Sequence, residues 1–165
     1  MAAELRKNLL QRACSLLARR AYSRGEMRDK LSKWAPEGEV ELALDRLEEL
    51  KLLNDEEYAY NFAFNRMKLE GWGPIKVRHS LLRRQVIPDL IERAINRVLA
   101  DQDERLLLDD YLDKFRRRSS LPQDRRQIRK LILHLRRRGF HEETVYSALR
   151  QKIPAAAWQR FDEGE

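Results

Sequence analysis

The sequence predicts an all-α protein built from three tandem three-helix repeats that form an elongated, curved array. Apolar residues recur along most of the chain at the i, i+3, i+4, i+7 spacing of helices with one buried face. Alternating strand-like runs are absent, and the 165 residues include only six glycines and five prolines, a composition that favours helices. The helical pattern also returns about every fifty residues, which indicates an internal repeat.

The first predicted repeat spans residues 1–53. Ser23 and Glu26 have the spacing of a capping box, in which each side chain binds the backbone N–H of the other residue, so they begin the second helix of this repeat. Pro36 ends that helix because proline lacks a backbone N–H and fixes φ. The residues expected to face inward are Leu9, Ala13, Leu16, Leu17, Met27, Leu31, Trp34, Val40, Ala43, Leu44 and Leu47.

The second predicted repeat spans residues 54–100. Asn54 is expected to cap its first helix, with Glu57 at the reciprocal position. A Gly-Trp-Gly turn precedes Pro74, which suits the first position of the next helix. The residues expected to face inward are Tyr58, Ala59, Phe62, Ala63, Met67, Val77, Leu81, Ile91, Ala94, Ile95 and Val98.

The third predicted repeat spans residues 101–153, and residues 154–165 form a C-terminal tail. Arg116–Pro122 is expected to be a basic, polar linker. Gly139 is expected to end a helix, since a left-handed backbone is easiest for a residue without a Cβ atom. The residues expected to face inward are Leu108, Tyr111, Leu112, Phe115, Ile128, Leu131, Ile132, Leu135, Val145, Ala148 and Leu149.

Four sets of inward positions correspond across the three repeats. They are Met27, Val77 and Ile128; Leu31, Leu81 and Ile132; Val40, Ile91 and Val145; and Ala43, Ala94 and Ala148. The offsets are 50 or 51 residues between the first two repeats and 51 to 54 between the second and third. Repeats of this kind stack on their neighbours and build extended arrays. The alternative is a single globule of nine helices whose spacings agree by coincidence.

Positive charge is concentrated near the end of the chain. The net charge is +7, and the isoelectric point is about 9.7. Ten Lys or Arg residues but only one Asp lie between Arg116 and Arg138, which gives +9 there and −2 over the remainder. Such a cluster favours an acidic partner, either a nucleic acid or an acidic protein surface.

The remaining composition indicates a cytoplasmic protein. Cys14 is the single cysteine, which excludes an internal disulfide framework, and its apolar neighbours predict a half-buried structural thiol. No apolar run approaches the roughly 20 residues of a membrane span, and the N-terminus lacks the apolar core of a signal peptide.

The sequence contains no motif of a familiar catalytic or cofactor site. His79, His134 and His141 do not stand at metal-ligand spacing, and no cysteine pair exists. The glycine-rich phosphate loops and the nucleophile elbow are absent. We therefore expect neither an enzyme nor a bound metal or cofactor.

The helix predicted to start after Asp124 carries the main binding candidates. At roughly 100° per residue, Arg126, Lys130 and Arg137 point away from its apolar face, and Arg125, Arg129 and Arg136 lie on one flank. We refer to these six residues as the basic ridge. The further candidates for partner or nucleic-acid binding are Lys76, Arg78, Arg83, Arg84, Arg116, Arg117 and Arg118. The alternative is a solvated helix face with no partner.

Four segments, in this order, resemble the bacterial RecX family. They are Arg20–Leu31 (with Arg20, Ser23–Glu26 and Lys30–Leu31), Leu53–Ala59, Gly73–Pro74 and Arg137–Phe140, and the resemblance extends from about Leu9 to Leu149. It implies tandem three-helix repeats without a catalytic site or cofactor. Within the last motif, Gly139 and Phe140 are expected to serve the turn and the core, and Arg137 to face a partner.

The resemblance also implies a function. RecX proteins regulate the recombinase RecA: they bind the helical RecA–DNA filament, typically along its groove, and inhibit its ATPase, strand exchange and coprotease activities. The expected partner is thus the RecA nucleoprotein filament, with single- or double-stranded DNA as a further candidate and the chain itself a monomer. Two other functions remain open, a stand-alone single-stranded nucleic-acid-binding helical module and a helical scaffold that binds neither.

Overall fold

The computed structural model describes residues 2–162, and within this range all regular structure is helical. The ten α-helices of these residues are α1 (Ala2–Leu17), α2 (Arg24–Leu31), α3 (Glu37–Glu49), α4 (Asp55–Phe64), α5 (Pro74–Leu82), α6 (Pro88–Asp101), α7 (Glu104–Arg116), α8 (Arg125–Arg137), α9 (Glu142–Lys152) and α10 (Ala155–Asp162). One π-helical turn, Asn65–Leu69, continues α4. The predicted all-α fold is confirmed.

The predicted helix starts follow from local hydrogen bonds. The Ser23 hydroxyl accepts a hydrogen bond from the backbone N–H of Glu26 at 3.1 Å, and the Glu26 carboxylate accepts one from the backbone N–H of Ser23 at 3.2 Å. Asn54 accepts from the backbone N–H of Glu57 at 3.1 Å. Pro74 is the first residue of α5. The capping box, the Asn54 cap and the Pro74 start are therefore confirmed.

The positions that align between repeats form the core. All twelve are buried, with at most 4% of any residue exposed. They combine large side chains with alanine, as in Val40 and Ala43 of α3, and this allows adjacent helices to pack closely. The periodicity in the sequence thus predicts these buried positions correctly on α2, α3, α5, α6, α8 and α9.

Two residues depart from the sequence prediction. Trp34 was expected to face inward, but 58% of it is exposed because α2 ends at Leu31 and the following residues turn out of the helix. Cys14 is exposed rather than half-buried. Its neighbour Ala13 takes the buried position of α1, and a residue one step further lies about 100° around the helix.

The described residues form two compact units. Unit 1 contains the chain up to Asn61 together with Ser80–Ala94. In it, α1 packs against α2 and α3 around a core that includes Leu9, Leu44 and Leu47. Unit 2 contains Phe62–His79 and the chain from Ile95 onward. There α9 packs against α7 and α8, and α10 packs against α8.

A network of ion pairs stabilises unit 1. The Arg24 guanidinium lies 2.8 Å from Glu41, 2.7 Å from Asp45 and 2.6 Å from Glu48, all on α3. Arg28 also pairs with Glu41 at 2.6 Å. The hydrogen bonds from Arg28 and Arg24 lower the pKa of the Glu41 carboxyl to about 2. These contacts bind α2 to α3 through charge as well as through the apolar core.

Candidate partner-binding surface

The helix α8 has one apolar face and one basic face. Asp124 caps its start by accepting a hydrogen bond from the backbone N–H of Gln127 at 2.8 Å. Its end is set by Gly139, whose φ of 90° is in the left-handed region. Four residues of the helix are buried, and they are Ile128, Leu131, Ile132 and Leu135. The basic residues consequently occupy the opposite side.

Five of the six residues of the basic ridge are exposed. Arg126, Arg129, Lys130 and Arg137 form no ion pair with any residue that the structure describes. Arg136 lies 3.5 Å from Glu142, but both side chains are more than half exposed, so water screens the pair. The ridge therefore keeps most of its positive charge free for a partner.

The sixth ridge residue, Arg125, has a different environment. It is half-buried, and its Nε atom is inaccessible to solvent without a hydrogen-bond partner among the described residues. The first turn of α8 thus lies closer to the core than the predicted position of Arg125, on the flank of the helix, suggests. We place Arg125 at the edge of the ridge.

The run Arg116–Arg118 lies where α7 ends. Arg116 is the last residue of the helix, and Arg117 and Arg118 follow in the turn after it. All three side chains are exposed, and none pairs with a carboxylate in the described part of the chain. They add positive charge to unit 2.

The second-repeat candidates have mixed roles. In unit 2, Lys76 is half-buried with its ammonium 3.9 Å from the centre of the Trp72 ring. Burial and the nearby Arg138 lower the pKa of Lys76. Arg78, also in unit 2, is half-buried and engaged with other residues.

Arg83 and Arg84 belong to unit 1, whereas the other eleven candidates belong to unit 2. Arg83 is exposed. Arg84 has a structural role, because its guanidinium donates to the Ser80 carbonyl at 2.8 Å and its own carbonyl accepts from the Ser23 hydroxyl. Among the candidates, Arg84 is therefore the weakest as a partner contact.

The end of α8 is fixed by a joint between two turns, and no pattern in the sequence predicted this contact. The backbone N–H of Gly73 donates to the Arg138 carbonyl at 2.8 Å, and the backbone N–H of Ile75 donates to the Gly139 carbonyl at 3.0 Å. The Arg138 guanidinium donates to the Glu70 carbonyl at 2.7 Å. Arg138 is thus occupied within unit 2, while its neighbour Arg137 is held outward.

His134 does not add charge to the ridge at neutral pH. Its Nε2 atom lies 2.7 Å from the Tyr111 hydroxyl. Burial, followed by the nearby cations Arg138, Arg137 and Lys76, lowers the pKa of its imidazole.

The described residues hold no group of three His, Cys, Asp or Glu side chains suited to a metal ion. Within the same residues, no helix is both long and apolar enough to cross a membrane.

Comparison with known proteins identifies the family. Residues 10–47 match the RecX first three-helix domain, and residues 54–95 match the RecX second three-helix domain. Regulatory protein RecX of Prosthecochloris aestuarii is 32% identical over 144 residues, covering 87% of this chain and 92% of the relative. This chain belongs to the RecX family. Regulatory protein RecX of Chlorobaculum tepidum is also 32% identical, over 85% of each protein.

A solved RecX structure has the same fold. The crystal structure of RecX from Lactobacillus salivarius has a TM-score of 0.77 and 21% identity, and the match covers 90% of this chain and 97% of that one. The two matched RecX domains lie within the first two repeats that the sequence predicts, whose exact bounds stay a prediction. The helices α7–α9 follow them, and their status as a third repeat stays a prediction.

Proposed function

We propose that this RecX-family chain regulates RecA by binding the RecA–DNA filament through the basic ridge. Family membership supports a regulatory role, since its relatives carry the name regulatory protein RecX. The family resemblance of the motifs supports RecA as the target. The observation that carries the choice of surface is the exposure of Arg126, Lys130 and Arg137 without a carboxylate partner among the described residues.

The ridge has suitable chemistry for a nucleoprotein filament. From Arg126 to Arg137 it extends roughly 16 Å along α8, at 1.5 Å per residue. Guanidinium groups bind both carboxylates and phosphates through paired hydrogen bonds. A filament of protein on DNA offers both kinds of anion, so one row of cations can contact protein and nucleic acid together.

Regulation would then follow from binding alone. A rigid helix that crosses the boundary between two RecA subunits opposes the subunit motions that ATP turnover requires. The effect would be negative, reducing ATP hydrolysis, strand exchange and coprotease activity. Because every step is a binding step, the effect should depend on occupancy of the filament rather than on turnover by this chain.

Co-sedimentation with RecA assembled on single-stranded DNA tests the ridge. The variant Arg126→Glu/Lys130→Glu/Arg137→Glu reverses three charges on the exposed face of α8. A matched control, Lys7→Glu/Lys51→Glu/Lys114→Glu, makes the same change in net charge at three other exposed lysines. We expect the ridge variant to lose at least tenfold in affinity and the control to lose far less.

Three outcomes would overturn the proposal. Equal losses for both variants would mean that net charge, not the ridge, drives association. Undiminished binding by the ridge variant would place the contact elsewhere. If the parent protein binds naked single-stranded DNA tightly, with a steep salt dependence, but ignores the RecA filament, the chain is a nucleic-acid-binding module instead.

A further inference from the structure

Unit 1 contains a basic groove between α1 and α2 that the proposed function does not use. Its volume is about 790 Å³. Four cationic side chains and one tryptophan line it, and they are Arg12, Arg19, Lys30, Lys33 and Trp34. The described residues that line the groove include no Asp or Glu. The groove is therefore positively charged and partly aromatic.

The four cations of the groove are not neutralised within the described structure. None of the four side chains forms an ion pair there, and the Arg12 guanidinium lies over the ring of Trp34. Elsewhere in unit 1, by contrast, Arg6, Arg24 and Arg28 each pair with a carboxylate. The groove thus brings together four cations that lack a carboxylate partner among the described residues.

Trp34 gives the groove a stacking surface. The guanidinium of Arg12 lies 3.9 Å from the ring centre, on one face, and 58% of the residue remains exposed. Arg12 covers one face, and more than half of the residue is exposed, so we infer that the other face of the indole can accept a stacking partner. An exposed indole in a groove lined by four cations combines a surface for aromatic stacking with positive charge.

The open indole face distinguishes between two anionic partners. The face of an aromatic ring carries partial negative charge, so it offers nothing to a carboxylate. A nucleic-acid base is flat and stacks well on tryptophan, but in a duplex its faces are already covered. The combination of stacking surface and cations therefore favours a single strand over an acidic peptide or a duplex.

We propose that the α1–α2 groove binds single-stranded nucleic acid. Trp34 stacks on one base, while Arg12, Arg19, Lys30 and Lys33 contact the neighbouring phosphates. This site is separate from the basic ridge, which belongs to unit 2, and it goes beyond the proposed regulation of RecA. A chain with both surfaces could contact exposed single-stranded DNA independently of RecA protein.

Titration of the full-length protein with oligo(dT) tests the groove directly. Quenching of Trp34 is isolated as the difference in fluorescence between the parent and Trp34→Phe, and anisotropy of labelled oligo(dT) gives the affinity. We expect Trp34→Ala to bind about tenfold more weakly, the scale of losing one stacked base, and Trp34→Phe to retain most of the affinity. Trp34 is largely exposed, so neither change should unfold the protein.

Charge in the groove is tested by salt dependence. Lys30→Ala/Lys33→Ala should reduce the slope of log affinity against log salt by about 1.4, at about 0.7 per phosphate contact on a single strand. The control Lys7→Ala/Lys51→Ala removes the same charge from unit 1 outside the groove. It should leave the slope nearly unchanged.

Three results would overturn the inference. Trp34→Ala could bind as tightly as the parent, the lysine control could change the slope as much as the groove pair, or poly-glutamate could displace oligo(dT) at equal charge concentration. The last result would assign the groove to an acidic protein segment. The ridge-reversed variant should still show the Trp34 quench, so failure of one proposal is distinguishable from failure of the other.

Discussion

In unit 1 the start of α2 meets the turn after α5, and in unit 2 the start of α5 meets the turn after α8. The first joint depends on side chains, because the Ser23 hydroxyl donates to the Arg84 carbonyl and Gly25 lies against the side chain of Gln85. The second joint is backbone against backbone, with Gly73 donating to the Arg138 carbonyl at 2.8 Å.

The two turns also differ at the residue with a left-handed backbone. In unit 1 this residue is Gln85, with φ of 59°, and in unit 2 it is Gly139, with φ of 90°. A left-handed conformation costs a residue with a Cβ atom about 1–2 kcal/mol. A similar helix-to-turn contact can thus be built with or without glycine on the turn, but only in the side-chain form can a substitution on the turn remove the atoms in contact.

The largest effect is expected for Gly73→Ala in the backbone joint. A Cβ atom on Gly73 would overlap the backbone carbonyl of Gly139 and the amide of Phe140, neither of which can shift without breaking the turn. We expect the free energy of unfolding to fall by at least about 3 kcal/mol in urea denaturation. Gly38→Ala is the matched control, since a Cβ atom there meets nothing within 4 Å. Equal effects of the two changes would refute the backbone account.

A smaller loss of stability is expected for Gly25→Ala in the side-chain joint, and a second substitution should restore it. The added Cβ atom would overlap the Cβ of Gln85, so the expected loss is about 1–3 kcal/mol. The second change Gln85→Gly removes that obstacle and suits the left-handed φ, and it should restore most of the loss. The cost of Gly25→Ala in the two backgrounds is measured by a double-mutant cycle. A purely additive cycle would contradict the proposed difference between the joints.

Ser23→Ala should lower the free energy of unfolding by a comparable amount, about 1–2 kcal/mol. Unlike the loss in Gly25→Ala, this loss should not be restored by a change at Gln85. The hydroxyl both caps α2 and donates to the Arg84 carbonyl, so its removal leaves two groups without a partner. Ser32→Ala is a suitable control, because Ser32 is an exposed hydroxyl bonded only to the Arg28 carbonyl of its own helix. Urea denaturation of both variants provides the measurement. If Ser32→Ala cost as much, the joint would contribute nothing of its own.

Features of the fold could be predicted from the sequence where they depend on residues that are close together in the chain. The twelve aligned core positions and the Ser23 cap depend on near neighbours in sequence, so periodicity and capping rules find them. The joints unite residues such as Gly73 and Arg138, which are far apart in the chain, and no local pattern specifies which turns will meet. Gly139 was predictable as a turn glycine, but the backbone that packs on it was not.

The candidate site also contains some features that the sequence predicts and others that it does not. Helical geometry predicted the exposed positions of Arg126 and Arg137, because angle around a helix follows from sequence. It did not predict that Arg84 is held in a joint or that Trp34 is exposed, since both depend on where α5 and α2 end. The apolar periodicity does not specify at which residue these helices end.

The smallest effect in this series comes from pH and concerns unit 1. The pKa of Glu41 is lowered to about 2 by Arg28 and Arg24, so its contribution to stability is complete above its ordinary pKa of 4.5 and is lost as pH falls towards 2. Since a third of the side chain is exposed, the loss should be about 1 kcal/mol. Glu41→Gln should flatten the stability profile between pH 4.5 and 2. An unchanged profile would show that the ion pairs of Glu41 do not stabilise unit 1.

The most direct test of the proposed function is the single-stranded-DNA-dependent ATP hydrolysis of RecA with increasing amounts of this protein. We expect the parent to inhibit hydrolysis, and the variant Arg126→Glu/Lys130→Glu/Arg137→Glu to inhibit at least tenfold less effectively than the matched lysine control. Inhibition well below one molecule per RecA would favour capping of filament ends, whereas inhibition near saturation would favour occupancy of the groove. Hydrolysis that is unaffected by the parent, or inhibited equally by the ridge variant, would contradict the account.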